Sequence, residues 1–396
     1  MTQAVPVARP WMGEEEVAAV QRVILSGWVA QGPEVEAFER EFASWVGAAH
    51  ACAVGNGTAA LHLALLALDV GPGDEVVTVS HSFIATANAV RLAGAVPVFV
   101  DVDAGTGNIE PGEAATVLTK RTKAILAVHQ IGVPCDMEAL LSIAEPRGIP
   151  IVEDAACAIG SEIRIGNLWE RIGRPHGRIA CFSFHPRKLL TTGEGGMITT
   201  ADDRLDARLR SLRSHGVATA IESGGNARTR QERYQEVGLN ARLTDIQAAV
   251  GRVQLRRLEV VLAERRRLAA RYNALLNGIA GLELPKEPDW LRSNVQSYCV
   301  RLPPDAEPRG VMERLAEAGI ACRPGIANAH REPAYRSGGW RCADGPGRCG
   351  CASGSCARLA TSEMLQDRGL ILPLFHGLSD DDQARVVSAL AAALGG

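Results

Sequence analysis

The chain is 396 residues long, 46% apolar and 22% charged, with a formal net charge of −3. These values fit an ordinary soluble globular protein of two or three domains and argue against nucleic acid or an anionic membrane as its partner. No run of about 18 apolar residues is available to span a bilayer, and the opening MTQAVPVARPW has no basic-then-apolar leader pattern, so a cytoplasmic protein is expected.

Apolar residues at Val17, Val20, Val23 and Ile24 predict a helix over 14–26, and a second runs from the turn at Gln31-Gly32-Pro33 to about Trp45. Strands are then predicted at 51–54, 75–79, 96–100, 124–128, 150–153, 179–184 and 197–200, with helices at 58–68 and 84–93 between the first of them. Such alternation implies a mostly parallel sheet covered by helices on both faces, with ligands at the carboxyl ends of the strands. Residues 244–276 lack proline and open with Thr244-Asp245-Ile246-Gln247, a capping-box pattern. One long helix is expected there, joining a large domain (1–255) to a smaller C-terminal one (256–396). In the second, strands at 298–302 and 370–372 and helices at 309–318 and 380–394 predict an α+β unit.

Chemistry collects where these strands end. Gly55-Asn56-Gly57-Thr58 follows a strand and opens a helix, whose N-terminal N–H groups suit a phosphate. Glu153-Asp154 places carboxylates at a strand end, although a helix N-cap explains Asp154 equally well. Ser80-His81-Ser82-Phe83 offers an aromatic that could stack on a planar ligand. Most telling is CFSFHPRKLLTTGEGGM (181–197): of 42 basic residues only Lys120, Lys123, Lys188 and Lys286 are lysines. A chain that draws its positive charge from arginine has little structural reason to keep Lys188, whereas a lysine amine, unlike a guanidinium, can lose its proton and form a Schiff base. A phosphate cradle, a strand-end carboxylate, an aromatic and a lysine are together the requirements of pyridoxal 5'-phosphate.

The motifs GNGTAALHLAL (55–65), SFIATANAV (82–90), VEDAACAIGS (152–161), FSFHPRKLLTTGEGG (182–196) and VGLNARLTDIQAA (237–249) resemble those of the DegT/DnrJ/EryC1/StrS family of sugar aminotransferases. The resemblance runs from about residue 5 to the C-terminus. It implies the α/β fold of type I pyridoxal-phosphate enzymes: a large domain with a mostly parallel seven-stranded sheet, a smaller C-terminal α+β domain, and an N-terminal segment (1–30) near the active site. It further implies that Lys188 is the Schiff-base lysine and proton shuttle and that Asp154 holds the pyridine nitrogen. By the same resemblance Gly57, Thr58 and Ser183 bind the phosphate, Phe83 covers the ring and Cys157 touches it. Asn240 would reach the cofactor of a second subunit, so a homodimer with shared active sites is implied. Glu194 and His330 are candidates near the sugar. The activity implied is transfer of an amino group from glutamate or glutamine to a keto group of a nucleotide-linked deoxysugar, or alternatively of a keto-cyclitol. The Arg-, Ala- and Gly-rich composition suits a high-GC genome, and a place in secondary-metabolite or surface-glycan biosynthesis is expected. Lys188 argues against the related sugar dehydratases, which use His in its place, and no basic face supports a regulator that binds the cofactor without catalysis.

By the resemblance, this chain departs from the family pattern at Cys157, a position touching the cofactor ring where Gln or His is common, and at Ala241 and Gln130-Ile131, which border the substrate side. The stretch RCADGPGRCGCASGSCARL (341–359) holds Cys342, Cys349, Cys351 and Cys356. Their spacing matches no standard zinc pattern, and a glycine-rich loop with no metal is expected.

Overall fold

The computed structural model describes residues 4–218, 233–344 and 354–395. Its main sheet has seven strands: β1 (His50–Val54), β2 (Glu75–Val79), β3 (Val96–Val100), β4 (Thr122–Val128), β5 (Ile151–Asp154), β8 (Ile179–Ser183) and β9 (Gly196–Thr200). They lie in the order β1-β9-β8-β5-β4-β2-β3, and every pairing is parallel except those of β9, which runs against both neighbours.

Alternation along each strand sends residues to two separate cores. Ala51, Ala53, Ile125, Ala127, Ala180 and Phe182 face one side, with Phe38, Phe42 and Phe184. Cys52, Val54, Ala124, Leu126, Ile179 and Cys181 face the other, against Leu61 and Leu65 of the helix Gly57–Ala67. Both faces are buried, which is why these strands read as nearly continuous apolar runs. Between β5 and β8 the chain forms a hairpin, β6 (Glu162–Ile165) and β7 (Leu168–Arg171), extended by β10 (Leu291–Arg292). Sequence reading missed it; Gly166-Asn167, with Gly166 at φ 57, was the available turn signal.

The helix expected over 244–276 is two helices, Asp245–Arg256 and Leu258–Leu276, broken at Arg257. Its guanidinium turns back to Glu16 at 2.5 Å and lies over the Trp11 ring, tying the break to the N-terminal segment. The division expected between residues 255 and 256 falls beside this break. The capping box forms, with Thr244 and Gln247 satisfying each other's backbone N–H groups. Beyond the break Leu268, Tyr272 and Leu276 enter a third core with Tyr298, Val300, Leu370 and Val386. That core covers the small antiparallel sheet of β11 (Tyr298–Arg301), β13 (Gly369–Leu372) and β12 (Arg323–Pro324). The helix at its end, Asp380–Gly395, packs on the same core through Val386 and Leu390.

Candidate active site

The carboxyl ends of β1, β5 and β8 converge. Asn56 caps the helix Gly57–Ala67 by accepting the Ala59 N–H at 2.8 Å. Gly57, at its first turn, lies against Ser183 at the end of β8: a Cβ on Gly57 would come within 2.7 Å of the Ser183 Cβ. Only glycine allows this approach, which sets the helix N-terminus, with its unpaired N–H groups and positive dipole end, beside a serine hydroxyl. The arrangement matches what a phosphate monoester requires.

Asp154 ends β5 and is buried, 5% exposed. Burial raises its pKa, against opposing hydrogen bonds from Thr86 and Ala156 and the charge of Lys188. The Thr86 hydroxyl donates to Oδ2 at 2.8 Å, the Ala156 N–H reaches Oδ1 at 3.2 Å, and the Ser82 hydroxyl pairs with that of Thr86 at 2.8 Å. Its neighbour Glu153 points the opposite way, as strand alternation demands. Glu153 meets His129 at 3.0 Å and the backbone N–H groups of His176 and Gly177. The acidic pair seen in sequence thus splits into one residue facing the site and one anchoring the core.

Lys188 follows β8 on a turn closed by its own N–H to the His185 carbonyl, 2.8 Å. Its Nζ donates to the Cys157 Sγ at 2.9 Å. The segment after β10 fixes both partners. Asn294 Nδ2 holds the Cys157 carbonyl at 2.8 Å, and Gln296 Nε2 holds the Arg187 carbonyl at 2.6 Å. Arg9, Pro10 and Trp11 of the N-terminal segment line a small pocket together with Arg187 and Lys188.

Thr86, Asn294 and Gln296 were not picked out from sequence. Thr86 lies within the SFIATANAV motif (82–90), which was the signal available for it; Asn294 and Gln296 had none. Phe83 is 70% exposed in the single chain. Asn240 is exposed on a strip whose next residue, Ala241, accepts the Gly55 N–H at 2.8 Å. Glu194 is exposed, and its carbonyl is taken by Thr192 and Gln247. His330 differs from its expected place near the sugar. It is wholly buried, its Nδ1 paired with the Ser80 hydroxyl at 2.7 Å and its Nε2 with Glu363 at 3.0 Å, so neither ring nitrogen is offered to a ligand. Cys342 and Cys356 are buried, Cys349 and Cys351 lie outside the described residues, and among the described residues no cluster of ligating side chains could hold a metal. Nor is any described helix long and apolar enough to cross a membrane.

The mixed seven-stranded sheet and its order match the pyridoxal-phosphate aminotransferases of fold type I. The match to the model of the DegT/DnrJ/EryC1/StrS aminotransferase family spans residues 10–391, and the chain belongs to that family of sugar aminotransferases. It is similar to the aminotransferase TlmJ from Streptoalloteichus hindustanus, at 35% identity over 99% of both chains with a TM-score of 0.86. DesV of S. venezuelae is 33% identical, covering 99% of this chain and 98% of its own, with a TM-score of 0.85. Spr1654 from Streptococcus pneumoniae, solved in its PLP form, is 25% identical over 99% of both chains with a TM-score of 0.87. Pyridoxal 5'-phosphate is the cofactor of the family.

Proposed function

We propose that this enzyme moves an amino group from glutamate or glutamine to a keto group on a nucleotide-linked deoxysugar, working as a homodimer. The observation that carries the site assignment is the convergence of Gly57 and Ser183, Asp154, and Lys188 at neighbouring strand ends. Bound there, pyridoxal phosphate supplies an aldehyde that takes up the donor's amine and a ring that draws electrons from the adjacent carbon.

Gly57, Thr58 and Ser183 would hold the phosphate. Asp154 would face the pyridine nitrogen and keep it protonated. Its raised pKa without the cofactor is the cost of burying a lone carboxylate, which a cation set against it relieves. Lys188 Nζ would hold the cofactor at rest and, once displaced by the donor amine, carry a proton between neighbouring carbons. Its attachment on a short turn beside Cys157 leaves the amine at one end of a flexible stem, which suits both tasks. Phe83, too exposed to be a core residue, would cover the ring.

The dimer reading is supported by large apolar side chains that the single chain leaves exposed, among them Val237 and Trp28. Asn240 would then meet the cofactor phosphate of the second subunit. A keto-cyclitol is the second acceptor reading, favoured only by the unusual Gln130-Ile131 pair, where Ile131 is held at φ 46.

The test is spectroscopic. The purified enzyme should absorb in the visible through its bound cofactor, and glutamate or glutamine should bleach that band. A panel of nucleotide-linked ketosugars and keto-cyclitols should then restore it for the true acceptor. A band that no amino donor bleaches would reject the transaminase assignment of this site.

A further inference from the structure

Cys157 differs from the cysteines sealed in the core and, unlike the partly buried Cys299 and Cys322, has the Lys188 amine against its sulfur. Cys52, Cys135 and Cys181 are sealed in the core, where burial pushes their thiols up, Cys52 to about 12. Buried thiols of that kind are inert. Cys157 is only partly buried and lies 2.9 Å from the Lys188 amine. A partly exposed thiol is one that an oxidant can reach.

The geometry also fixes the fate of the oxidised thiol. Asn294 and Gln296, themselves buried, pin the Cys157 and Arg187 carbonyls, so Sγ and Nζ are held together by one short segment. A sulfenic acid at Cys157 therefore has an amine as its nearest nucleophile.

We propose that Cys157 and Lys188 form a peroxide-sensitive pair, in which oxidation of the thiol leads to closure of a reversible Sγ–Nζ bond. Hydrogen peroxide gives one oxygen to Sγ as its O–O bond breaks, yielding Cys157–SOH and water. The neutral Lys188 Nζ then attacks Sγ, the S–O bond breaks, and the hydroxyl leaves with an Nζ proton as a second water. Sulfur is oxidised, peroxide is reduced, and the protein loses the thiol hydrogen and one amine hydrogen. Two equivalents of an added thiol reverse the step, the first opening the S–N bond as a mixed disulfide and the second releasing Cys157. The bond needs a free lysine amine, so a cofactor attached to Lys188 protects the pair; that clause rests on the functional reading above.

Full-length enzyme is treated with peroxide in three states: cofactor-loaded, cofactor-loaded after reaction with amino donor, and stripped of cofactor. Intact mass and non-reducing tryptic maps are then read. In the second and third states the peptide 148–164 should be joined to the peptide 188–204, with a mass loss of about 2 Da that added thiol restores. In the first, Cys157 should be captured as a sulfenic acid by dimedone, unlinked. Cys157→Ser should abolish the linked peptide, and Lys188→Arg should leave the sulfenic acid without it. If Cys157→Ser fails to fold, blocking the thiols of the wild-type enzyme beforehand with iodoacetamide supplies its control; if Lys188→Arg fails to fold, reductive methylation of the amines of the stripped wild-type enzyme supplies the other. Onward oxidation of Cys157 to sulfinic acid with Lys188 still free overturns the proposal. A linked peptide formed equally in all three states upholds the pair but overturns attachment of the cofactor at Lys188.

Discussion

The Thr86 hydroxyl donates to Oδ2 of Asp154 at 2.8 Å, joining the helix Ala85–Leu92 to the end of β5 inside the buried floor of the site. The bond works against the burial that raises the Asp154 pKa. A folded-state pKa above the unfolded value means that folding favours the protonated acid. That contribution is intact below the unfolded pKa and is lost as pH rises through the folded one. At neutral pH the ionised side chain therefore destabilises the cofactor-free protein. Asp154→Asn should melt higher than wild type without cofactor at about pH 8, with the gap closing toward about pH 4, while activity falls by about 10²- to 10⁴-fold. Calorimetry across pH and a transamination assay check both halves. Thr86→Val should shift the cofactor-free protein the other way.

Glu153 carries the opposite sign. Burial would raise its pKa, but hydrogen bonds from His129 and His176 and the charge on those rings win, holding the carboxyl well below the usual range. A lowered folded-state pKa gives stability that is present above the unfolded value and lost as pH falls through the folded one. Glu153→Gln should cost about 3 kcal/mol at neutral pH by breaking a fully buried pair. The variant should also lose much of the wild type's acid sensitivity, read as the pH dependence of the urea midpoint. A variant as stable as wild type at pH 7 would show that the ionised Glu153 adds no net stability.

Why one acidic residue faces the site and the other the core was not legible in the sequence, although the strand itself was. The strand ends were read to within a residue or two because both faces of the sheet are buried and its strands are continuous apolar runs ended by glycine or polar residues. That same continuity hides which face each residue takes. The glycine turn that opens the helix after β1 and the place of Lys188 just after β8 were legible because both are local features of the chain. The Asn294 and Gln296 braces were not, since they reach the site from more than a hundred residues away along the chain. His330 misled for the same reason: a histidine beside a predicted site gives no sign that Ser80 and Glu363 already occupy its ring.

Gly57 tests the cradle with little disturbance elsewhere. Alanine suits the backbone of a first helical turn, so the cost of Gly57→Ala, about 1–3 kcal/mol in stability, comes from its Cβ. Its Cβ, 2.7 Å from that of Ser183, must push the helix N-terminus off β8. Cofactor affinity should fall about tenfold, or about 1.4 kcal/mol, measured by titrating the visible band. Unchanged affinity would mean that the phosphate sits elsewhere.

Gly132 tests the brace on Cys157. It sits at φ 94, and a Cβ there would fall on the Asn294 amide. Gly132→Ala should therefore displace the side chain that holds the Cys157 carbonyl, at a cost of about 1–3 kcal/mol in stability. Thermal melting reads the loss, and a changed cofactor spectrum would locate it at the lysine.

Shared active sites can be tested by mixing. Lys188 lies beside β8 of its own subunit, whereas Asn240 is exposed and, in the dimer proposed above, meets the phosphate across the interface. Lys188→Ala removes the amine, and Asn240→Asp sets a negative charge against the phosphate, so each homodimer should be nearly inactive. Random re-pairing of the two makes half the molecules heterodimers. If each site draws its lysine from one chain and its asparagine from the other, a heterodimer has one site carrying both defects and one carrying neither, and the mixture should recover about a quarter of wild-type activity. If each site takes both residues from a single chain, every site in the heterodimer keeps one defect and the mixture stays inactive. Activity after denaturing and refolding the mixed variants, with size exclusion to confirm dimers, separates the two arrangements.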